Sequence, residues 1–484
     1  MMSEINGLTP GIVWKHFFNI SNIPRQSGNE ERIREYIKKF AVQFGLETKV
    51  DRAGNILVTK SAYKGSEKKK SICIQCHMDM VSQKNKDIIH DFDEDPVDVY
   101  VDGEWVTARG TTLGADNGIG MAAALAVLES VDIPHGPLES LFTADEETGF
   151  TGAFGLEPGF LKSEILINLD SEFSGQLFIG SAGGRSTTAL FQYNEEPVPQ
   201  NSAAYEIRLT GMRGGHSGLD IHMGWGNSIK ILARYLCHAT KSWNIRVSSI
   251  EAGSYMSAIP CEAFAIVTVP GDKLTGFIKG VRDFEEAVKN ELSSSEPNVS
   301  FDAIAESVPQ RVIDRDVIDS IIHAICNCPN GVIRMSEPDG SLVDTSSNLG
   351  ILKAEEGIIK IVTFQRSFDK RFMSELGAKI GRIFDWAGAT EVKHKTMFPI
   401  WVPDWESSLL KEMQEIYRSL FKKDAEVKVI HAGLECGVFK SVYPDLEMIS
   451  IGPSIYFAHS PEERVNIESV EEFWKFLKES LVRI

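Results

Sequence analysis

The chain has 484 residues, 43% hydrophobic and 24% charged, enough apolar material for two or three domains with cores of their own. Its 68 acidic residues against 50 Lys and Arg give a formal net charge of −18, a balance that repels a nucleic-acid backbone or an anionic membrane. The longest notable apolar run, residues 121–128, falls far short of the roughly 20 residues that span a bilayer. Seven cysteines, an odd number scattered through a large chain, point to reduced thiols and a cytoplasmic home.

Two helical patterns open the chain, LTPGIVWKHFFNIS and NEERIREYIKKFAVQFG, the second ending at Gly45 as a helix C-cap would. Two short strands, LETKVDR and NILVTK, follow around Ala53-Gly54. Then comes SICIQCHMDMV, an apolar strand that runs into His77 and Asp79. A histidine there sits at the strand's C-terminal end, the edge where open α/β sheets bind ligands. Residues two apart on extended backbone point the same way, so Asp79 is placed to back up the His77 ring.

The same stretch spells a decoy. Cys73, Cys76 and His77 fit the C-x-x-C-H signature of haem attachment, and the two cysteines alone fit a redox pair. Haem attachment belongs to exported chains, whereas MMSEINGLTP shows no basic stretch followed by an apolar one. A redox pair should open a helix, and on a strand residues three apart face opposite sides. Two packed strand cysteines are the expectation.

Next, ARGTTLGADNGIGMAAALAVLES leads from a Gly-rich loop into an Ala/Leu-rich helix with Asp116 at its mouth, either an N-cap carboxylate or a metal ligand. LESLFTADEETGF is a strand ending in Asp145-Glu146-Glu147, and EILINLDSE is another ending in Asp170. Gly180, Gly183 and Gly184 suggest a hinge out of this domain. Residues 186–397 carry a strand-and-helix order in the style of an open-faced sandwich given twice, and residues 398–484 return to the style of residues 1–185. The expected fold is therefore an α/β, mainly parallel-sheet domain with helices on both faces, split by an inserted α+β lid at 186–397.

His77, Asp116, Glu147, Asp170 and His459 make a candidate ligand set of two histidines and three carboxylates. Two divalent ions bring four charges, of which three carboxylates compensate three, leaving one for a bridging hydroxide. The mixed donors suit Zn, and Mn or Co would also fit. Glu146 and Glu147, neighbours on an extended chain, point in opposed directions, so one can bind metal while the other acts as general base.

QCHMDMV, GADNGIGMA, DEETGF, INLDSE, GGHSGLDI, TSSNLG, HAGLECG and AHSPEERV, in this order from about residue 10 to the C-terminus, resemble the co-catalytic metallopeptidases that include aminoacylases and carnosinases, within them the aminoacyl-histidine dipeptidase branch. The resemblance implies Asp116 bridging two zinc ions, with His77 and Asp170 on one and Glu147 and His459 on the other. It assigns Asp79 to orienting His77 and Glu146 to activating the bridging water. In the lid it implies a substrate-contacting His216 and an Arg366 that holds the substrate's C-terminal carboxylate, with Asn227 and Glu435 near the substrate. Cys76 departs from the small residue expected before the metal histidine.

The expected activity is hydrolysis of small unblocked peptides, Xaa-His and β-alanyl-histidine among them, by a monomer or homodimer. The rivals are a tripeptidase or an N-acyl-amino-acid deacylase of the same superfamily, and a non-catalytic binding protein on the same fold.

Overall fold

The structure is a computed structural model that describes residues 5, 7–336, 340 and 342–484. By contacts the chain forms two compact units: Met1–Ser181 with Trp401–Ile430 and Leu434–Ile484, and Ala182–Ile400 with His431–Gly433.

The first unit is built on an eight-stranded sheet ordered Glu47–Val50, Ile56–Lys60, Leu138–Thr143, Ile72–His77, Ile165–Asn168, Glu447–Ser450, Gln176–Ser181, Glu426–Ile430. Four of its seven pairings are parallel, including both neighbours of Ile72–His77. All six residues of that central strand are buried, which is why it reads as a continuous apolar run. Helix Ala115–Glu129 is buried along residues 115–128 and is accordingly apolar on every side. Its core also takes in helices Gly11–Ser21, Glu31–Gln43, Ser408–Phe421 and Ile467–Arg483.

A second, four-stranded sheet of this unit escaped the sequence reading. Val99–Asp102 and Trp105–Ala108 form a hairpin, and Arg464–Asn466 pairs with its second strand, then with Ile455–Tyr456. The alternation in VYVDGEWVTA around Asp-Gly is a hairpin signal that could have revealed it. This sheet pins both sides of the loop that carries His459.

The second unit has one nine-stranded antiparallel sheet. The two sandwich-like halves share it, joined where Glu251 and Ala252 pair with Lys353 and Leu352. Helices Ser228–Trp243, Leu274–Glu291, Arg315–Asn327 and Lys370–Trp386 contribute to a single core. Asn227, Asp314 and Asp369 cap three of them, each accepting a backbone N–H of the first turn.

The boundary between the two units falls at Ser181 and Ala182, between Gly180 and the pair Gly183 and Gly184. The pair opens strand Gly183–Gln192, with Gly184 opposite Arg366. A Cβ on Gly184 would lie 2.5 Å from the Phe398 ring and 2.8 Å from that of Phe364, so the absent side chain makes room for two aromatic rings.

Candidate active site

His77 ends the central strand and Asp170 follows strand Ile165–Asn168 beside it. Asp116 lies at the start of helix Ala115–Glu129, with non-helical backbone at Asp116 and Asn117 and a cis peptide between them, so it is not the helix N-cap. Glu146 and Glu147 are on a one-turn helix, Glu146–Gly149. The extended-backbone argument for their opposed directions therefore fails; the strand stops at Thr143, and Asp145, in left-handed backbone, turns the chain.

The other four expected ligands gather around Asp116. Its Oδ1 lies 3.0 Å from His77 Nε2 and its Oδ2 3.1 Å from His459 Nε2. Each histidine nitrogen also faces a carboxylate of its own: His77 Nε2 is 3.2 Å from Asp170 Oδ1, and His459 Nε2 is 3.0 Å from Glu147 Oε2. A neutral ring nitrogen has one hydrogen and cannot serve two such oxygens. A lone pair turned towards two acidic oxygens is the donor arrangement around a cation. Two triads meet that description, His77, Asp116 and Asp170, and Asp116, Glu147 and His459, each with donor atoms within 4.8 Å of one another. The donors fit a dinuclear metal centre with Asp116 shared.

Electrostatics support the fit. Burial, reinforced by neighbouring acids, pushes Glu146 well above the usual carboxylate range and raises Glu147 and Asp170. Burial alone would also raise Asp116, yet His459 and His77 hold it well below. Burial would lower His459, yet Asp116 and Glu147 lift it to about 12. Glu172, which the sequence did not single out, is pushed well above its usual value by burial and Asp116. So much buried negative charge calls for cations. Glu147 Oε1, buried without a hydrogen-bond partner among the described residues, is a further unsatisfied acceptor, free to face a cation.

Asp79 lies 3.4 Å from His77 Nδ1, long for a hydrogen bond. Its firmer contacts are with Ser27 Oγ at 2.7 Å and the backbone N–H groups of Glu146 and Glu147 at 3.0 and 3.2 Å. Asp79 thus ties the His77 strand end to the glutamate turn. The Glu146 carboxylate makes no hydrogen bond among the described residues, as a group kept for proton transfer would.

Two supports were missed in the sequence. Buried Arg25 donates to the carbonyls of Met78 at 3.0 Å, Asp79 at 2.6 Å and Gly114 at 2.5 Å. Glu463 accepts from the N–H groups of Leu113, Gly114, Ala115 and Asp116 at 2.7–3.2 Å, with burial pushing it up to about 7. No local pattern marks either, because their partners are backbone atoms far along the chain.

Glu435 is wholly buried, accepting from Gln75 Nε2 at 2.6 Å and Thr143 Oγ1 at 2.8 Å, and burial pushes it up to about 8. Cys76 and Cys73 are buried, their thiols pushed well up by burial, and Cys76 packs into the hydrophobic core.

In the second unit, Arg366 is buried on strand Ile358–Ser367 with no carboxylate bound to it among the described residues. Burial pushes its guanidinium down to about 9. It contacts Ser217 Oγ at 3.3 Å and lies over the Phe364 ring at 4.6 Å. His216 accepts the Leu219 N–H on Nδ1, which sets the ring proton on Nε2, 3.1 Å from Arg366 Nη2. Two donors facing each other are resolved by an anion that accepts from both. Asn227 is otherwise engaged: it caps its helix and donates to Asn330 and to the Leu349 carbonyl. Its amide serves that junction, not an open surface.

Residues 73–483 match the description of Peptidase family M20/M25/M40. The chain belongs to that family. This M20 peptidase is 42% identical to the cytosol non-specific dipeptidase of Escherichia coli (strain K12), over 100% of this chain and 99% of the relative. Its fold matches a crystal structure of aminoacylhistidine dipeptidase from Vibrio alginolyticus with a TM-score of 0.81 and 40% identity, covering 99% and 98% of the two chains. A tripeptidase from Staphylococcus aureus, 15% identical, shares the fold with a TM-score of 0.57 over 98% of each chain. No helix among the described residues is long and apolar enough to cross a membrane.

Proposed function

We propose that this M20 peptidase is a cytoplasmic dipeptidase that hydrolyses unblocked dipeptides, Xaa-His and β-alanyl-histidine among them. The observation that carries the reading is Asp116 set between His77 and His459, each with a second carboxylate. The full-length similarity to two dipeptidases supports the substrate class.

His77, Asp170 and Asp116 would hold one divalent ion and Asp116, Glu147 and His459 the other, zinc being the metal this donor set suits best. Bound there, the ions would lower the pKa of a water molecule and polarise the scissile carbonyl. Glu146 takes the proton from the attacking water and delivers it to the leaving amine, a shuttle suited to a carboxyl raised by burial. Asp79 keeps the glutamate turn and the His77 strand end in register. Arg366, with His216 and Ser217, receives the substrate's free carboxylate.

The test is a hydrolysis panel of β-Ala-His, Gly-His, a tripeptide and an N-acetyl amino acid, run before and after chelation and zinc restoration. Zinc-restored cleavage of the dipeptides alone is expected. Cleavage of the tripeptide or the acylated amino acid in their place would overturn the substrate class.

A further inference from the structure

Arg366 brings a buried positive charge to a place where no acid among the described residues answers it. Directly across the sheet its register partner is Ser346, whose Oγ lies 2.8 Å from His431 Nε2. His431 is buried, and its three-residue segment, His431–Gly433, belongs by contacts to the second unit. Gly218 marks where the groups meet. A Cβ there would lie 2.3 Å from the His431 carbonyl oxygen, 3.0 Å from His216 Cε1 and 3.1 Å from Arg366 Nε.

The His431 ring has two nitrogens and one visible partner. The pair can be joined either way round; the tautomer in which Ser346 Oγ–H donates to Nε2 is the one the subsite requires. The ring proton then sits on Nδ1, which is buried with no hydrogen-bond partner. Burial, with Arg366 and His222 adding to it, pushes the ring down to about 3, so it is uncharged near neutrality. A buried donor with no acceptor, near a guanidinium with no anion, is a costly pair unless one ligand satisfies both.

We propose that His431, set by Ser346, belongs to the carboxylate subsite anchored by Arg366, its Nδ1–H being a further donor, beside Arg366 and His216, to the free carboxylate of the substrate's leaving residue. The subsite takes an α-carboxylate and rejects the corresponding amide, whose NH2 group would face two donors. The proposal rests on the dipeptidase reading for the identity of that residue, and its test does not require turnover.

Calorimetric titration of the metal-loaded protein with L-histidine and L-histidinamide reads the subsite. Asn at 431 places an amide nitrogen near the position of Nδ1, whereas Gln places one near Nε2. The wild type is expected to bind histidine at least about tenfold more tightly than the amide, and His431→Asn to keep most of that preference. His431→Gln and His431→Leu should lose about tenfold in histidine affinity with the amide unchanged, and Ser346→Ala, which frees the ring tautomer, about threefold. A wild type without preference for the carboxylate overturns the proposal. So does retention of the preference by Gln with loss by Asn, which would make His431 a structural tie to Ser346. Equal loss for histidine and its amide, a general packing effect, overturns it too. If histidine binds with this pattern while no dipeptide is cleaved, the dipeptidase reading fails and the subsite stands.

Discussion

The Glu463 carboxylate holds the loop that presents Asp116, its Oε1 accepting the N–H of Ala115 at 2.7 Å and of Asp116 itself at 3.2 Å. Oε2 takes the two preceding amides, of Leu113 and Gly114. Four backbone donors on one carboxylate tie the loop through charge-assisted hydrogen bonds. Because Asp116 faces both histidines, its aim would decide both proposed ion sites at once.

Glu463→Gln turns an amide NH2 towards those donors and loosens the loop. The expected outcome is a loss of roughly 10–100-fold in metal affinity, measured by competition with a chromophoric chelator. Unchanged affinity would mean that Asp116 is aimed by something other than this carboxylate.

The Glu146 carboxylate has no hydrogen bond to lose among the described residues, so its replacement should separate chemistry from assembly. Glu146→Gln is expected to lower kcat by about 10²–10⁴-fold with the metal content unchanged. Steady-state kinetics with elemental analysis of the same preparation checks both halves.

Arg25 joins the loop after His77 to the loop before Asp116 through three carbonyls. Arg25→Met leaves those buried carbonyls without a donor, and a loss of about 3 kcal/mol or more in unfolding free energy is expected. Denaturant unfolding of the metal-free protein isolates this from any effect on metal binding.

His431 makes stability depend on pH. Burial, first among its causes, holds the folded ring down to about 3, whereas the unfolded ring titrates near 6.5. Between those values the unfolded chain binds a proton that the folded chain does not, so this contribution is complete above pH 6.5 and is lost as pH falls towards 3. Between pH 7 and pH 5 the wild type should lose up to about 2 kcal/mol more than His431→Asn, as read from urea midpoints.

Much of the site was legible because strand ends are legible. His77 and Asp170 close apolar runs, and Asp116 follows a Gly-rich turn, so side-chain period and turn chemistry placed them. The glutamate pair was found by its residues but with the wrong backbone, since nothing in DEETG distinguishes a frayed strand end from one helical turn. Arg25 and Glu463 were invisible for a different reason: a side chain that serves distant backbone atoms leaves no periodic trace. His431 was hidden inside a stretch notable for its glycines, and only the register of Ser346 against Arg366 shows what it faces. In the fold, the hairpin at Val99–Asp102 and Trp105–Ala108 was passed over, and Gly184 was read as freedom where it is room for an aromatic ring.

The central claim is a pair of ions sharing Asp116, and calorimetric metal titration tests it most directly. With zinc added to the chelated wild type, two equivalents per chain are expected; Asp170→Asn should keep one, and Asp116→Asn should weaken both. One equivalent in the wild type, or two undiminished equivalents in Asp116→Asn, would contradict the account.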